Sequence, residues 1–214
     1  MFITLEGIEG SGKTTQLKHI VGFLQKKGHH CITTREPGGT RIGEKIRAIL
    51  LDPESRAMDP MAELLLYMAD RAQHLEELIR PCLSEGKTVL CDRYYDATVA
   101  YQGFARGLDI GLLNELHGLI FKDLKPDLTL LLDLSPEIGL QRALREIENG
   151  ARNGSEIRFE KEKIAFHEKV RAGYLELARL EPARFRIIDA ASTEDQVRKE
   201  ILKAVSVILS RNGR

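Results

Sequence analysis

The segment GIEGSGKTT, residues 7–15, combines glycine, lysine and hydroxyl side chains at the spacing G-x-x-x-x-G-K-[ST]. Its three glycines lack a Cβ, so the chain can adopt positive φ and turn successive N–H groups towards one anion. Lys13 can reach β- and γ-phosphates as a point charge, and the Thr14 hydroxyl can ligate Mg²⁺. The spacing predicts a phosphate-binding loop formed by Gly7, Ile8, Glu9, Gly10, Ser11, Gly12, Lys13, Thr14 and Thr15.

The sequence on either side favours this interpretation over a chance glycine turn. The apolar run at residues 2–5 predicts a strand, and Leu17, Ile20, Val21 and Leu24 recur at helical spacing. A strand, a glycine loop and a helix are the context that a phosphate-binding loop requires. The helix start adds unsatisfied N–H donors and the positive end of the helix dipole.

A second group of polar side chains follows the apolar run at residues 88–91, which reads as a parallel strand covered on both faces. Asp92 can hold Mg²⁺ and its waters, and Arg93 can bind a second phosphate through two parallel hydrogen bonds. A surface ion pair is the alternative. A phosphate-binding loop elsewhere in the chain favours the functional interpretation.

Tyr67 and Arg71 are i, i+4 neighbours on a predicted helix and therefore share a face. They either form a cation–π pair at the surface or line a pocket that stacks on and hydrogen-bonds a planar ring. Their position alone favours the surface pair.

Four arginines surround a glycine-containing break after residue 148, within a candidate lid at about residues 143–160. They are either a solvated helix end or a mobile lid that brings guanidinium groups to a transferring phosphoryl group. The phosphate loop contains no arginine, so catalysis that needs one requires the lid to supply it. The four residues are Arg142, Arg145, Arg152 and Arg158.

Strands and helices alternate along the whole chain, which predicts an α/β fold with a parallel sheet and right-handed crossovers. Strands are predicted at residues 2–5, 31–34, 88–91, 128–134 and 185–188. Helices are predicted at residues 43–51, from 61 until Pro81 kinks or ends the helix, and at 109–121, 135–148, 159–180 and 193–209. Ligands bind beyond the carboxyl ends of such strands, so the phosphate loop, residues 35–40 and residues 92–102 should share one rim.

The composition limits the class of protein. With 32 basic and 32 acidic residues the 214-residue chain has no net charge, which argues against a surface that coats nucleic acid or an anionic membrane. Three cysteines without CxxC spacing predict buried, reduced thiols. Neither a signal peptide nor a membrane span is apparent, so we expect a single cytoplasmic domain over residues 1–214.

Segments covering nearly the whole chain resemble the bacterial thymidylate kinases, a family of P-loop nucleoside monophosphate kinases. They are FITLEGIEGSGKTTQ, TREPGGT, LLLYMADRAQH, CDRYYDATVAYQG, LTLLLDLSPEIGLQRA, RFE, FHEKVRAGYLELA and IIDA. Among P-loop kinases, TREPGGT together with DRY…AYQG is specific to this family. The resemblance implies a five-stranded parallel sheet flanked by helices with a lid, a homodimer, and phosphorylation of dTMP to dTDP by Mg²⁺ and ATP.

The resemblance also implies residue roles on the dTMP side. Glu9 would reach the sugar 3′-OH, Tyr101 would fill the space of a ribose 2′-OH, and Arg93 would bind the dTMP phosphate. The remaining residues would surround the base: Pro37 at its border, Tyr67 stacked on thymine, Arg71 bonded to O4, and Thr98 and Gln102 at the base edge.

For the transfer step, the resemblance implies that residues 7–15 hold ATP and that Lys13, Asp92 and Arg93 act at the phosphates. Arg152 and Arg158 match lid arginines. Two features depart from the family pattern: Ala97 stands where serine is frequent, and the lid at residues 149–157 is longer and more polar than the family form. Tyr67 takes the place of an aromatic residue that is commonly phenylalanine. A kinase of another nucleotide or nucleoside is the nearest alternative, and a nucleotide-dependent switch that hydrolyses NTP is a second.

Overall fold

A computed structural model describes residues 1–121, 124–150 and 157–212. Within these ranges five strands form one parallel sheet in the order β2-β3-β1-β4-β5. The expected α/β class with a five-stranded parallel sheet is confirmed. The strands are β1 Phe2–Glu6, β2 Cys31–Arg35, β3 Thr88–Asp92, β4 Leu128–Asp133 and β5 Phe185–Asp189.

Helices connect the strands and cover both faces of the sheet. They are α1 Lys13–Lys26, α2 Arg41–Leu51, α3 Pro60–His74, α4 Arg80–Ser84, α5 Tyr95–Thr98, α6 Ile110–Phe121, α7 Pro136–Glu148, α8 Ile164–Leu180 and α9 Glu194–Asn212. A 3₁₀ turn covers Pro53–Ala57, and π-helical segments cover Leu75–Ile79 and Val99–Ala105.

The helix starts follow the capping chemistry of the sequence. Asp59 caps α3 by accepting from the Met61 N–H at 2.8 Å, and proline occupies the first helical position. Thr193 and Gln196 form the expected capping box at α9, with the Thr193 N–H 3.0 Å from the Gln196 side chain.

The central strands are buried along their length, as their apolar sequences require. The register sets Leu5 of β1 beside Asp92 of β3 and Leu130 of β4. The carboxyl ends of these strands therefore meet at one edge, where the phosphate loop and residues 92–102 emerge.

Two expectations about helices differ from the structure in detail. Of the two outcomes expected at Pro81, a kink or an end, the helix does not end there: the π-helical segment Leu75–Ile79 widens the preceding turn and the helix continues to Ser84. The helix expected from residue 159 begins at Ile164. Residues 95–105 are helical although they are rich in aromatic and β-branched side chains, because packing against α8 overrides their weak helix propensity.

The described residues contain no helix that is both long enough and apolar enough to cross a lipid bilayer.

Candidate active site

The phosphate loop depends on glycine at the positions where its backbone turns and packs. Gly7, Gly10 and Gly12 have φ of 138°, 69° and 90°. A Cβ on Gly10 would lie 2.0 Å from the Gly139 carbonyl oxygen in α7. The loop is thus fixed between β1, α1 and the first turn of α7.

Lys13, the first residue of α1, folds back onto this loop. Its Nζ donates to the carbonyl oxygens of Gly7 and Ile8 at 3.0 and 2.9 Å, and the residue is only 8% exposed. Burial, followed by the nearby Arg93 guanidinium, lowers the pKa of Lys13 to about 8, although Asp92 opposes the shift. A cation therefore lies at the centre of the loop, beside the exposed start of α1.

Arg93, directly after β3, has a φ of 69°, which is uncommon for a non-glycine residue. Its N–H donates to the Leu5 carbonyl at 3.0 Å, and its carbonyl accepts from the Cys91 thiol at 2.9 Å. These contacts turn the guanidinium towards the loop, where Nη2 donates to Glu9 Oε1 at 2.8 Å and Cζ lies 4.9 Å from the Tyr101 ring centroid.

Glu9 receives several donors although it is almost fully buried. Its Oε1 accepts from Arg93 and from the Tyr101 hydroxyl, the latter at 2.7 Å. Burial alone would raise the pKa of Glu9, but Arg93, His167 and Lys13 together hold it well below its ordinary value. The carboxylate is thus ionised and fixed between the phosphate loop and the residues after β3.

A cavity opens beside Glu9 and Arg93. All eight residues expected on the dTMP side contribute to its lining, together with Ala97 and the Phe159 ring. The eight are Glu9, Pro37, Tyr67, Arg71, Arg93, Thr98, Tyr101 and Gln102.

Arg71 is 1% exposed, which rules out a surface cation–π pair with Tyr67. Its Nε donates to Glu36 at 2.5 Å, Nη1 to the Thr98 hydroxyl at 2.9 Å, and Nη2 to the Tyr94 carbonyl at 3.0 Å. Burial opposes its charge, but Glu36 more than compensates and raises the pKa of Arg71. A rigid, permanently charged donor thus forms part of the cavity wall.

The family model described as Thymidylate kinase matches residues 5–201. Over 205 residues the chain is 56% identical to the thymidylate kinase of Desulfosudis oleivorans, covering 96% of each chain. It is 53% identical over 212 residues to that of Syntrophotalea carbinolica, covering 99% of this chain and 98% of the relative. This chain belongs to the thymidylate kinase family.

The fold agrees with that membership. The crystal structure of thymidylate kinase from Ehrlichia chaffeensis matches with a TM-score of 0.75 and 32% sequence identity, over 96% of this chain and 98% of that chain. The P-loop kinase architecture implied by the sequence resemblance is therefore confirmed.

Of the two lid arginines expected from the thymidylate kinase resemblance, one lies within the described residues. Arg152 lies outside the described residues. Arg158 is 3% exposed, donates from Nη1 to the Leu50 carbonyl at 2.9 Å and from Nη2 to Glu63, and does not line the cavity. In this conformation the Arg158 guanidinium is bound to Glu63, so its role at the phosphates stays a prediction.

Thr14 and Asp92 offer the oxygen donors that Mg²⁺ prefers. Mg²⁺ is commonly held by one or two protein oxygens, with waters and substrate phosphates completing its shell. Asp92 is close enough to Lys13 to influence its pKa, which brings this carboxylate to the phosphate loop. The described residues contain no cluster of three or more His, Cys, Asp or Glu side chains that could hold a metal ion. The donor set thus fits a metal that is bound together with a nucleotide.

Sequence reasoning missed several buried polar residues that support the cavity. Glu36 binds Arg71 and also the Nδ1 of His74 at 2.9 Å, and Glu63 accepts from the Gln102 amide at 2.7 Å. Glu36 and His74 lie inside the quoted segments TREPGGT and LLLYMADRAQH. Both are polar residues to which the resemblance assigned no contact with a ligand. That lack of an assigned role was the available sign that they support Arg71.

Glu6 supports the turn at Arg93 from beneath. At the end of β1, it accepts from the Tyr94 N–H through Oε1 and from the Tyr174 hydroxyl through Oε2, both at 2.8 Å. Burial, then the charge of Asp96, raises the pKa of Glu6 to about 8. The folded protein therefore keeps this carboxyl protonated over a pH range in which the unfolded chain loses the proton.

In the wild type, Glu6 should make the free energy of unfolding fall as the pH rises from about 4.5 to about 8. Glu6→Gln is expected to reduce this fall. In the wild type Glu6 favours folding fully below its unfolded pKa, and this contribution falls as the pH rises towards 8, because only the folded state still binds the proton. A neutral amide imitates the protonated acid and has no such dependence. Urea unfolding at pH 5, 6.5 and 8 measures the difference, with the exposed Glu200→Gln as control. Parallel stability curves for Glu6→Gln and the wild type would show that Glu6 is ionised in the fold.

Proposed function

We propose that this chain transfers the γ-phosphoryl group of ATP to the 5′-phosphate of dTMP at the cavity beside the phosphate loop. An acceptor phosphate oxygen forms the new bond to the γ-phosphorus, the bond to the bridging β–γ oxygen breaks, and ADP and dTDP result. The observation that carries the proposal is the junction of Lys13, Glu9 and Arg93 between the loop and the cavity.

The acceptor oxygen is already ionised, so the reaction needs no general base. Catalysis then consists of positioning and charge neutralisation. Lys13 serves the donor phosphates, Arg93 holds the dTMP phosphate, and a lid arginine completes the charge balance. Mg²⁺, held by Thr14 and Asp92, would neutralise charge on the ATP phosphates.

The dTMP base is proposed to stack on Tyr67 with its edge towards Arg71, Thr98 and Gln102. Support comes from the rigid hydrogen bonds of Arg71, which leave its position fixed before any ligand binds. The sugar is proposed to lie against Tyr101 and Glu9, whose mutual hydrogen bond fixes both groups.

A panel of nucleotide acceptors tests the proposal directly. With ATP and Mg²⁺, coupled ADP detection is expected to give a higher kcat/KM for dTMP than for dCMP, UMP or thymidine. Faster turnover of any of those acceptors would overturn the thymine assignment. Appreciable NTP hydrolysis that dTMP does not increase would instead favour the nucleotide-dependent switch.

Tyr101→Ala is expected to relax selection against the ribose form of the acceptor, 5-methyluridine monophosphate. The Tyr101 ring is held edge-on against Phe159 at 5.3 Å, so it occupies a defined volume of the cavity. The ratio of kcat/KM values for dTMP and the ribonucleotide should fall about ten-fold or more. Tyr101→Phe keeps the ring but loses the bond to Glu9, so it should retain the selectivity. Equal selectivity in Tyr101→Ala and the wild type would refute the steric role.

Arg152→Ala and Arg158→Ala test the lid. Replacing the arginine that reaches the transferring phosphoryl group should lower kcat by about 10³-fold. Arg158→Ala should also lower the melting temperature, because it removes a buried partner of Glu63. Stopped-flow single turnovers with thermal melts separate the two effects. Full kcat in both variants would mean that the catalytic guanidinium lies elsewhere.

A homodimer in the cytoplasm completes the proposal. The helices α2 and α3 expose apolar side chains, among them Ile42, Ile49 and Leu65, and a twofold contact through the long helices would cover them. Cys31, Cys82 and Cys91 are free thiols, in keeping with a reducing compartment, although only Cys91 is buried as expected and the other two are partly exposed. Sedimentation equilibrium tests the dimer, and Leu65→Glu should dissociate it.

A further inference from the structure

His167 of α8 lies fully buried beside Glu9, on the side away from Arg93. Its Nδ1 is 3.3 Å from Glu9 Oε2, and its Nε2 is 3.0 Å from the Phe159 carbonyl oxygen. No role for this residue could be inferred from the sequence, since the six histidines are scattered along the chain. A buried histidine beside a residue of the phosphate loop can affect the position of that residue.

The partners of the ring decide where its protons lie. A carbonyl oxygen can only accept, so Nε2 of His167 carries a proton. The Glu9 carboxylate is ionised and also only accepts, so a bare Nδ1 lone pair would face a negative oxygen in a buried site. A proton on both ring nitrogens is thus the arrangement that these two partners favour.

The charges around the pair are consistent with this state. Glu9 faces Lys13 from α1, Arg93 after β3, and the Tyr101 hydroxyl of the π-helical segment. The other side of the His167 ring packs edge-on against the Phe166 ring at 5.4 Å, which keeps water away. Glu9 thus lies among Lys13, Arg93 and His167, while the Asp92 carboxylate also lies close enough to Lys13 to affect its pKa.

We propose that His167 is a positioning residue: as an imidazolium it holds Glu9 Oε2, so that Glu9 Oε1 stays bound to Arg93 and Tyr101. The Oε1 atom already receives both of those donors, whereas Oε2 has no hydrogen bond within the described residues and has His167 as its neighbouring cation. The inference deepens the proposed function, because it rests on the role given there to Glu9.

The same histidine connects Glu9 with the chain that follows the lid. Phe159, whose carbonyl receives the Nε2 proton, is next to Arg158 and lines the cavity with its ring. His167 thus joins the phosphate loop to the segment through which the lid returns to α8.

Nitrogen-15 NMR of histidine side chains in the full-length protein tests the protonation state. The His167 ring, assigned by comparison with His167→Gln, should show two protonated nitrogens at neutral pH in the wild type and a neutral ring in Glu9→Gln. A neutral His167 ring in the wild type would overturn the proposal. This measurement does not depend on activity, so it remains decisive if Glu9 has another role in the reaction.

A double-mutant cycle tests whether His167 acts through Glu9. His167→Phe should raise KM for dTMP about ten-fold with KM for ATP changed little, and the loss should disappear in the Glu9→Gln background. His167→Gln serves if the phenylalanine variant does not fold, and His117→Phe replaces another buried histidine as control. Equal losses in both Glu9 backgrounds would overturn the positioning role. An unimpaired Glu9→Gln enzyme would instead overturn the role proposed for Glu9.

Discussion

Replacing Lys13 by alanine is expected to lower kcat for transfer to dTMP by about 10³-fold or more. Lys13 Nζ is the buried cation of the phosphate loop, held by the Gly7 and Ile8 carbonyls at the start of α1. The alanine variant should still fold, because the glycine conformations and the contact with α7 do not involve the lysine side chain. Steady-state ADP formation, with circular dichroism and a thermal melt, measures both outcomes.

Lys18→Ala is the matched control, since it removes an exposed lysine from the same helix and should leave turnover unchanged. Lys13→Arg separates charge from shape, because a planar guanidinium cannot occupy the same carbonyl-lined position as an ammonium. Turnover of Lys13→Ala within a few-fold of the wild type would contradict the role given to this loop.

Replacing Arg93 by alanine is expected to lower kcat/KM for dTMP by about 10³-fold, with a much smaller effect on ATP binding. Arg93 is proposed to bind the acceptor phosphate, and it also neutralises the buried Glu9. Lysine should rescue this variant poorly, because it lacks the two parallel donors and the planar face over Tyr101. Initial rates at varied dTMP and varied ATP distinguish the two substrates.

Arg56→Ala is the control for Arg93, since Arg56 is exposed in the 3₁₀ turn Pro53–Ala57. The contrary result would be an Arg93→Ala enzyme whose KM for ATP rises as much as its KM for dTMP. The arginine would then serve the loop as a whole rather than the acceptor.

The fold could be predicted from the sequence because its signals are local. Apolar runs at residues 88–91 and 128–134 specify buried parallel strands, and Asp59-Pro60 and Thr193 with Gln196 specify helix starts. Local signals were insufficient where long-range packing overrides local preference. Residues 95–105 become helical against α8, and the segment at Phe159 is held by His167 instead of joining the helix.

The residues that line the cavity were also accessible from sequence, most of them through the family resemblance and Arg93 through its place after a strand. Their supports were not. Glu63 joins Gln102 and Arg158, and His167 joins Glu9 and Phe159, across separations that no spacing rule encodes. Whether Arg71 faces solvent or a pocket likewise depends on Glu36, which lies on a different segment.

One rim of the sheet is proposed to hold two nucleotides end to end with cations between them. A crystal structure with dTMP and a nonhydrolysable ATP analogue tests it most directly. We expect the dTMP phosphate beside Arg93 and the terminal ATP phosphate beside Lys13, with the acceptor oxygen about 3–3.5 Å from the phosphorus that it attacks. dTMP bound away from the cavity, beyond direct reach of the phosphate loop, would contradict the account.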